Sequence, residues 1–211
     1  MENLDSLYEA ILKGNLVGAI ESTKIAISEE IEPQIIINNY MSKAMEEIGS
    51  NFEKGKAFVP ELLMSARAMK GALEQLKPLM AANNTLRIGT VVIGTVKGDL
   101  HDIGKNLVAS MLEGCGFEVI NLGVDISSEK FVQSIKEHNA NILCLSALLT
   151  TTMDYMKDVI QTLEKEGIRN QVKVMVGGAP VNSAFADKIS ADGYSSNANA
   201  AVSLAKSLMA S

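Results

Sequence analysis

Tryptophan is absent from this 211-residue sequence, and the other aromatic residues are limited to five phenylalanines and four tyrosines. A surface that stacks nucleic-acid bases needs several aromatic side chains, so none is expected. Concentrated positive charge is missing as well, because the net charge is −6 and acidic and basic residues are interspersed along the chain. Since phosphate binding needs a concentrated basic surface, the composition predicts no nucleic-acid partner.

Cysteine is scarce, and long apolar runs are missing. Cys115 and Cys144 lie in apolar stretches without the spacing of metal ligands, which favours two buried thiols over a disulfide or a zinc site. The longest apolar run, residues 88–96, is interrupted by Gly and Thr and is far shorter than the roughly 20 residues of a membrane span. The first residues also lack the basic start of a signal peptide. We therefore expect a cytoplasmic protein with no membrane partner.

The first 80 positions carry apolar residues at helical spacing. The pattern predicts one helix across residues 4–12, a second after the N-cap candidate Asn15, a third from Pro33 and a fourth from Pro60. The inward face of the fourth helix is predicted to contain Leu62, Leu63, Ala66, Met69, Leu73 and Leu76. Four antiparallel helices with short links indicate a small bundle, which we assign to a domain of residues 1–82.

Residues 81–86 are polar and interrupt the helical pattern, so they are predicted to be a linker. Beyond them, short β-branched runs alternate with helical segments, which is typical of an α/β domain with a parallel sheet covered on both faces. Strands are predicted at 88–95, 119–122, 142–145, 172–176 and 194–195, and helices at 103–112, 131–135, 153–166, 184–189 and 198–208. Residues 83–211 should form a five-stranded, doubly wound domain of the flavodoxin or Rossmann type, with ligands bound at the carboxyl ends of the strands.

The segment 98–106 (GDLHDIGKN) directly follows the first predicted strand and so lies at that edge. His101 could coordinate a metal through one ring nitrogen, while Asp99 holds the proton of the other. Gly104 would let a bulky planar group approach the backbone. The alternative is that Asp99 or Asp102 caps the following helix and His101 is a polar loop residue. Taken alone, the triplet favours that alternative.

Histidine is otherwise represented only by His138, which lies in a predicted helix. A zinc or iron site with several histidines is therefore not expected. A single protein ligand suffices only where the cofactor supplies the remaining ligands, as a macrocycle does.

The pattern Asp99-x-His101-x-x-Gly104 after a strand resembles the Asp-x-His-x-x-Gly signature of methionine-synthase-type cobalamin-binding domains. Residues 146–150 (SALLT) resemble the Ser-x-Leu segment of that family, and residues 177–180 (GGAP) resemble its Gly-Gly segment, at the family's spacings from His101. Upstream, the segment 53–70 resembles the helical cap of methionine synthase and of the small corrinoid proteins of methanol, methylamine, quaternary-amine and aryl-ether demethylation. The resemblance covers nearly the whole chain.

The resemblance implies that a cobalamin or a related corrinoid binds base-off, with His101 in place of the nucleotide tail as the lower cobalt ligand. Asp99 would be the hydrogen-bond partner of His101. Thr152 occupies the position of the serine that completes this relay in methionine synthase, a departure that keeps a hydroxyl. Ser146 would hydrogen-bond the nucleotide tail in a slot of the domain.

Further cofactor-binding residues are implied in the same way. In the α/β domain they are Gly98, Leu100, Asp102, Ile103, Gly104, Leu148, Thr150, Gly177, Gly178 and Ala198. On the helical cap, Phe58 and Leu62 are candidates for covering the methyl-bearing face of the corrin, although each could equally belong to the bundle core.

The implied function is that of a methyl carrier rather than of an enzyme by itself. The cobalt, as Co(I), would accept a methyl group from a substrate-specific methyltransferase and carry it as methyl-Co(III) to an acceptor methyltransferase. The acceptor would be tetrahydrofolate or a thiol such as coenzyme M, and a reductive activation protein would be a further partner. Residues 81–86 would serve as the hinge that lets the cap move aside.

Three other functions are consistent with parts of the pattern. A cobalamin-responsive sensor normally adds a DNA-binding helical module, but here only Lys13 and Lys24 are basic before Lys43. A mutase cofactor subunit generally lacks the helical cap, and a flavodoxin-like domain would bind no corrin. The sequence leaves the methyl donor open among methanol, methylamines, quaternary amines and aryl methyl ethers.

Overall fold

The computed structural model describes residues 2–80 and 88–210. The chain divides into two compact units, Met1–Arg87 with Ser110–Gly116 and Ile88–Ala109 with Phe117–Ser211. The predicted linker, residues 81–86, and the predicted domain boundary after residue 82 lie outside the described residues. None of the described helices combines the length and the apolar character needed to cross a membrane.

The first unit contains the four predicted helices, the third of them interrupted by a π-helical turn at Ile37–Met41. The α-helical segments are α1 Glu2–Leu12, α2 Leu16–Ser28, α3 Pro33–Ile36, α4 Ser42–Glu53 and α5 Val59–Met80. The predicted start signals hold, since the side chain of Asn15 accepts a hydrogen bond from the amide of Gly18 and Pro33 is the first residue of α3. A Pro at the first helical position loses no hydrogen bond, because the first amides of a helix have no partner within it.

The core of the first unit includes Leu7, Ile11, Ile36, Met41, Leu62, Met69 and Leu76, all fully buried. Five of the six residues predicted to face inward from α5 are buried, but the prediction for Leu63 is wrong, because its side chain is 39% exposed. Successive residues of a helix are turned by about 100°, and this turn takes Leu63 out of the buried stripe. Leu62 lies within the stripe, in line with Ala66 and Met69.

The second unit is an α/β domain with five parallel strands in the order β2-β1-β3-β4-β5, which confirms the predicted fold class. Its strands are β1 Thr90–Thr95, β2 Glu118–Asn121, β3 Ile142–Ser146, β4 Lys173–Gly177 and β5 Gly193–Ser195. Its helices are α6 Ile103–Gly114, whose residues from Ser110 onward are counted with the first unit, α7 Ser128–His138, α8 Tyr155–Lys165, α9 Ser183–Lys188 and α10 Ala198–Ala210, with a 3₁₀ turn at Arg169–Gln171. In this strand order, of the flavodoxin type, ligands bind where β1 and β3 separate.

The strand register aligns the predicted site segments at one edge. Thr95 at the end of β1 pairs with Ser146, Ser146 pairs with Gly177, and Gly177 pairs with Ser195. The loops that follow β1, β3 and β4 therefore leave the sheet side by side. We call this side the carboxyl edge of the sheet.

Both cysteines are buried thiols, as the sequence predicts. Cys144 lies within β3, where burial raises the pKa of its thiol to about 12. A thiol with a raised pKa stays protonated at neutral pH and is a poor nucleophile.

Candidate cofactor site at the carboxyl edge of the sheet

Asp99 is fully buried in the loop of residues 96–102 between β1 and α6, which we call the His101 loop. Its Oδ1 accepts hydrogen bonds from Nδ1 and the backbone N of His101, at 2.7 and 3.1 Å. Its Oδ2 accepts hydrogen bonds from the amides of Leu148 and Leu149, at 2.8 and 3.3 Å, and from Oγ1 of Thr152, at 2.7 Å. One carboxylate thus joins the His101 loop to the segment after β3.

Burial by itself would raise the pKa of Asp99, but the hydrogen bonds from Thr152, His101 and Leu148 outweigh it and hold the pKa well below its ordinary value. The group is therefore ionised and can only accept hydrogen bonds. In the neutral imidazole of His101, Nδ1 must then carry the proton, which leaves the lone pair on Nε2.

The other contacts of His101 fix the backbone from which the ring extends. Thr95, fully buried, donates a hydrogen bond from Oγ1 to the carbonyl oxygen of His101 at 2.8 Å. The side chain of His101 is 50% exposed, and Nε2 has no hydrogen-bond partner among the described residues. The ring is thus oriented by the protein and has one nitrogen free to bind a ligand.

The alternative that Asp99 caps the following helix is not what the structure shows, since its carboxylate turns to His101 and to the segment after β3. Asp102 directly precedes α6, and its carboxylate accepts a hydrogen bond from the side-chain amide of Asn106 at 2.9 Å. Asp99 therefore orients the imidazole, whereas Asp102 serves the first turn of the helix.

The surface beside His101 is apolar and exposed to an unusual degree. Leu100 is 72% exposed and Ile103 is 85% exposed, and Leu148 and Leu149 are each more than 40% exposed. A Cβ on Gly104 would meet no heavy atom within 4 Å, so the start of α6 borders open space. Clustered exposed apolar side chains mark binding surfaces, and this one suits a large ligand with an apolar face.

The Gly-Gly segment at the end of β4 leaves less space for side-chain atoms than the start of α6 does. Gly178 has a φ of +128°, and a Cβ there would lie 1.8 Å from the carbonyl oxygen of Ala147. A Cβ on Gly177 would lie 3.3 Å from the carbonyl oxygen of Ser195. The resemblance implied that both glycines bind the cofactor, but the backbone after β3 by itself already requires Gly178 to lack a side chain.

The remaining site residues implied by the resemblance are distributed around this edge. Ser146, partly buried, ends β3, and Thr150 is exposed four residues later. Ala198 is buried at the start of α10, and Gly98 is exposed in the His101 loop. All four lie in the second unit at the carboxyl ends of strands, since Gly98 follows β1, Ser146 ends β3, Thr150 follows β3 and Ala198 follows β5.

The two cap candidates behave differently within the first unit. Leu62 is fully buried, which favours the alternative that it belongs to the bundle core. Phe58, just before α5, is 66% exposed, and its amide donates a hydrogen bond to Oε2 of Glu61. Met64 is also exposed, which the sequence pattern did not indicate.

Sequence reasoning missed a buried cation near the His101 loop. Lys105 is 4% exposed, and its Nζ donates hydrogen bonds to Oδ1 of Asn106 at 2.6 Å and to Oδ1 of Asn121 at 2.8 Å. Burial lowers the pKa of its amine, and the nearby charge of Asp102 acts in the opposite direction. The contacts tie the first turn of α6 to the end of β2. The only signal in the sequence was a lysine inside an otherwise apolar helical pattern.

The donor chemistry agrees with a cofactor that brings most of its own ligands. Among residues 2–80 and 88–210, no group of three or more His, Cys, Asp or Glu side chains could hold a metal ion. His101 would be a lone protein ligand, as in sites where a macrocycle fills the equatorial positions of the metal. The apolar surface and the open space beside Gly104 fit such a macrocycle.

Comparison with known families agrees with this geometry. A family model described as a B12 binding domain matches residues 89–203, which is more than half of the chain. This chain belongs to the B12-binding family. A second model with the same description matches residues 4–77, so the helical unit of this B12-binding protein is part of the resemblance as well.

Similar proteins cover nearly the whole of this B12-binding chain. It is 45% identical over 213 residues to dimethylamine corrinoid protein 1 of Methanosarcina acetivorans, which is 99% of this chain and 98% of the relative. A cobalamin-binding protein of Desulfitobacterium hafniense has a similar structure, with a TM-score of 0.83, 31% identity, and coverage of 97% of this chain and 98% of the other. The methanol:cobalamin methyltransferase complex of Methanosarcina barkeri gives a TM-score of 0.83 at 30% identity, covering 99% of this chain and 80% of that chain.

Proposed function

We propose that this chain is the methyl-carrying corrinoid subunit of a methyltransferase system that acts on methylated amines, and that it binds its corrinoid base-off with His101 as the lower cobalt ligand. The observation that carries the proposal is the imidazole of His101, whose Nδ1 lies 2.7 Å from Oδ1 of the buried Asp99. That hydrogen bond selects the tautomer whose Nε2 can bind a metal. Membership of the B12-binding family supports the identity of the cofactor.

The bound corrinoid supplies the methyl-transfer chemistry through its cobalt, and the residues of the chain bind and orient it. Asp99 and Thr95 hold His101, and Thr152 supplies a hydroxyl donor to Asp99. The exposed side chains of Leu100 and Ile103 would give the macrocycle an apolar surface and release water from it. The segments that begin at Ser146, Gly177 and Ala198 would receive the nucleotide tail.

A carrier of this kind needs partners that perform the transfers. We assign it a substrate-specific methyltransferase, an acceptor methyltransferase that uses tetrahydrofolate or a thiol such as coenzyme M, and a reductive activation protein. Support for the first comes from the methanol:cobalamin methyltransferase complex, which contains a chain of similar structure. The chain is then a carrier subunit and not an enzyme by itself.

Dimethylamine is the methyl donor that we propose. The support is the 45% identity to a dimethylamine corrinoid protein across 99% of this chain, against 42% identity to a trimethylamine corrinoid protein across 90% of it and 30% identity to the similar chain of the methanol complex. The partner methyltransferase would bind the methyl donor. The donor that is used would therefore depend on which methyltransferase this chain recognises.

Reconstitution followed by a donor comparison tests these proposals. The purified chain is loaded with cobalamin, reduced, and paired in turn with methyltransferases specific for dimethylamine and for methanol, and methylation of the corrinoid is followed by its absorption spectrum. We expect methylation to be at least about tenfold faster with the dimethylamine pair, equivalent to about 1.4 kcal/mol of activation free energy. A chain that retains no corrinoid contradicts the carrier proposal. A loaded chain that prefers methanol contradicts only the proposed donor.

Asp99→Asn is expected to weaken cobalt coordination by His101 while the fold persists. The amides of Leu148 and Leu149 and the hydroxyl of Thr152 would hold the oxygen of the new amide, which turns its NH₂ group towards Nδ1 of His101. Nδ1 must then accept a hydrogen bond, so the proton moves to Nε2 and blocks the metal-binding position. Loss of such a partner lowers metal affinity by about 10- to 100-fold, to be measured as corrinoid affinity by titration.

The matched control for this variant is Asp154→Asn, at an exposed aspartate just before α8 whose side chain makes no capping hydrogen bond. Its corrinoid affinity should equal that of the wild type. Equal affinities for Asp99→Asn and Asp154→Asn would show that Asp99 does not set the tautomer of His101.

A further inference from the structure

The loop after β2 runs beside the end of β1 and extends the parallel pairing beyond the two strands. The amide of Leu122 donates to the carbonyl of Ile93 at 2.8 Å, that of Thr95 to Gly123 at 3.0 Å, and that of Ile126 to Thr95 at 3.0 Å. The β2 side of the His101 loop is therefore built on a second loop that has an ordered backbone of its own.

Asp125 connects this second loop to the His101 loop by two contacts. Its Oδ1 accepts a hydrogen bond from the amide of Gly98 at 2.7 Å, and its own amide donates to the carbonyl oxygen of Asp99 at 3.1 Å. The backbone of Asp125 has a φ of 55°, a left-handed conformation that aspartate tolerates better than most residues. The backbone and the side chain of Asp125 thus hold Gly98 and Asp99, which directly precede Leu100 and His101.

The His101 loop is consequently held from both neighbours of β1. On the β3 side, the carboxylate of Asp99 binds the amide of Leu148 and the hydroxyl of Thr152. On the β2 side, Asp125 binds Gly98 and Asp99. Without Asp125, the loop would be held by the Asp99 carboxylate and by the hydrogen bond from Thr95 to the carbonyl of His101, and Gly98 and Asp99 would lose their hydrogen bonds to the β2 side, which would let the imidazole shift.

We infer that Asp125 is a positioning residue of the corrinoid site, which clamps Gly98 and Asp99 from the β2 side and so fixes the place from which His101 reaches the cobalt. This inference rests on the proposed function, because it assigns Asp125 a role through His101. Asp125 contacts the His101 loop and needs no contact with the cofactor itself. No feature of the sequence pattern pointed to it, since it is an exposed aspartate in a loop.

Two substitutions separate the hydrogen bond from the backbone conformation. Asp125→Gly removes the acceptor for the Gly98 amide, while glycine adopts a φ of 55° without strain. Asp125→Asn keeps an acceptor oxygen and a residue that tolerates the left-handed conformation, so it should restore the wild-type behaviour. Because Asp125 is exposed, neither variant removes buried apolar surface, and both should fold.

Ser190→Gly is the matched control. Ser190 has a φ of 60°, is exposed, and lies between α9 and β5, at the amino end of a strand and so at the opposite edge of the sheet. Its substitution changes the left-handed backbone in the same way without touching the His101 loop.

The test has one arm without cofactor and one with cobalamin. Amide hydrogen exchange of the unloaded protein should be about tenfold faster across residues 98–101 in Asp125→Gly, and unchanged in Asp125→Asn and Ser190→Gly. In Asp125→Gly, cobalamin affinity should fall by about tenfold, and a smaller share of the loaded protein should show the absorption signature of imidazole ligation. Both should return to the wild-type values in Asp125→Asn.

The inference is overturned if Asp125→Gly exchanges at the wild-type rate across residues 98–101, or if it binds cobalamin with the wild-type affinity and spectrum. A wild-type chain that binds no cobalamin would contradict the proposed function instead. In that case the exchange arm still decides whether Asp125 clamps the loop.

Discussion

Replacing His101 with alanine is expected to abolish imidazole ligation in the cobalamin-loaded protein and to leave the unloaded fold intact. The side chain of His101 is 50% exposed, so little packing is lost. Asp99 loses one hydrogen bond at Oδ1 but keeps the one from the backbone amide of residue 101, so the free energy of unfolding should fall by about 1 kcal/mol. The absorption spectrum of the loaded variant should show cobalt without a histidine ligand, and added imidazole should restore the ligated spectrum.

The control for this variant is His138→Ala. His138 is the second of the two histidines in the chain and is exposed in the last turn of α7. Its substitution should leave the spectrum of the loaded protein unchanged. If His101→Ala kept the spectrum of imidazole ligation and His138→Ala lost it, the lower ligand would be His138 and the proposed assignment would be wrong.

Gly178→Ala is expected to destabilise the unloaded protein severely. A Cβ at this position would lie 1.8 Å from the carbonyl oxygen of Ala147, and the φ of +128° is one that L-residues rarely adopt. The clash is with backbone that follows β3 directly, and Ala147 also donates its amide to the carbonyl of Gly177 at 3.3 Å, so neither segment can yield cheaply. Backbone strain and overpacking together should lower the free energy of unfolding by roughly 2–5 kcal/mol, measured by urea denaturation.

Gly167→Ala isolates the contribution of the backbone angle. Gly167 also has a positive φ, +70°, but a Cβ there would meet no heavy atom within 4 Å. Its substitution should lower the free energy of unfolding by only about 1–2 kcal/mol. Similar losses in the two variants would show that the approach of Ala147 to Gly178 does not constrain this position.

The α/β fold could be predicted because each of its elements has a local signature. The strand predicted at 142–145 is Ile142–Ser146, and the helix predicted at 198–208 is Ala198–Ala210. The register could not be read in the same way. That Thr95, Ser146 and Gly177 end their strands side by side depends on pairing between distant segments. Where two apolar residues are adjacent, as Leu62 and Leu63 are in α5, the sequence does not tell which of them faces inward, and Leu63 was assigned wrongly for that reason.

At the site, the pairing of Asp99 with His101 could be predicted because the two residues are neighbours in one loop. The amides of Leu148 and Leu149 could not, since backbone donors have no signature in sequence and lie about 50 positions away. Thr152 was found only through the resemblance to methionine synthase. Asp125 carries its role in a loop contact that no spacing rule predicts.

The unusually exposed leucine and isoleucine beside the imidazole have a consequence for the life of the chain in the cell. Leu100 and Ile103 present apolar surface to water, and the proposed corrinoid would cover it. Under that proposal, newly synthesised chains would be most prone to aggregation in the interval before loading. The supply of corrinoid would then govern how many chains survive as well as how many are active.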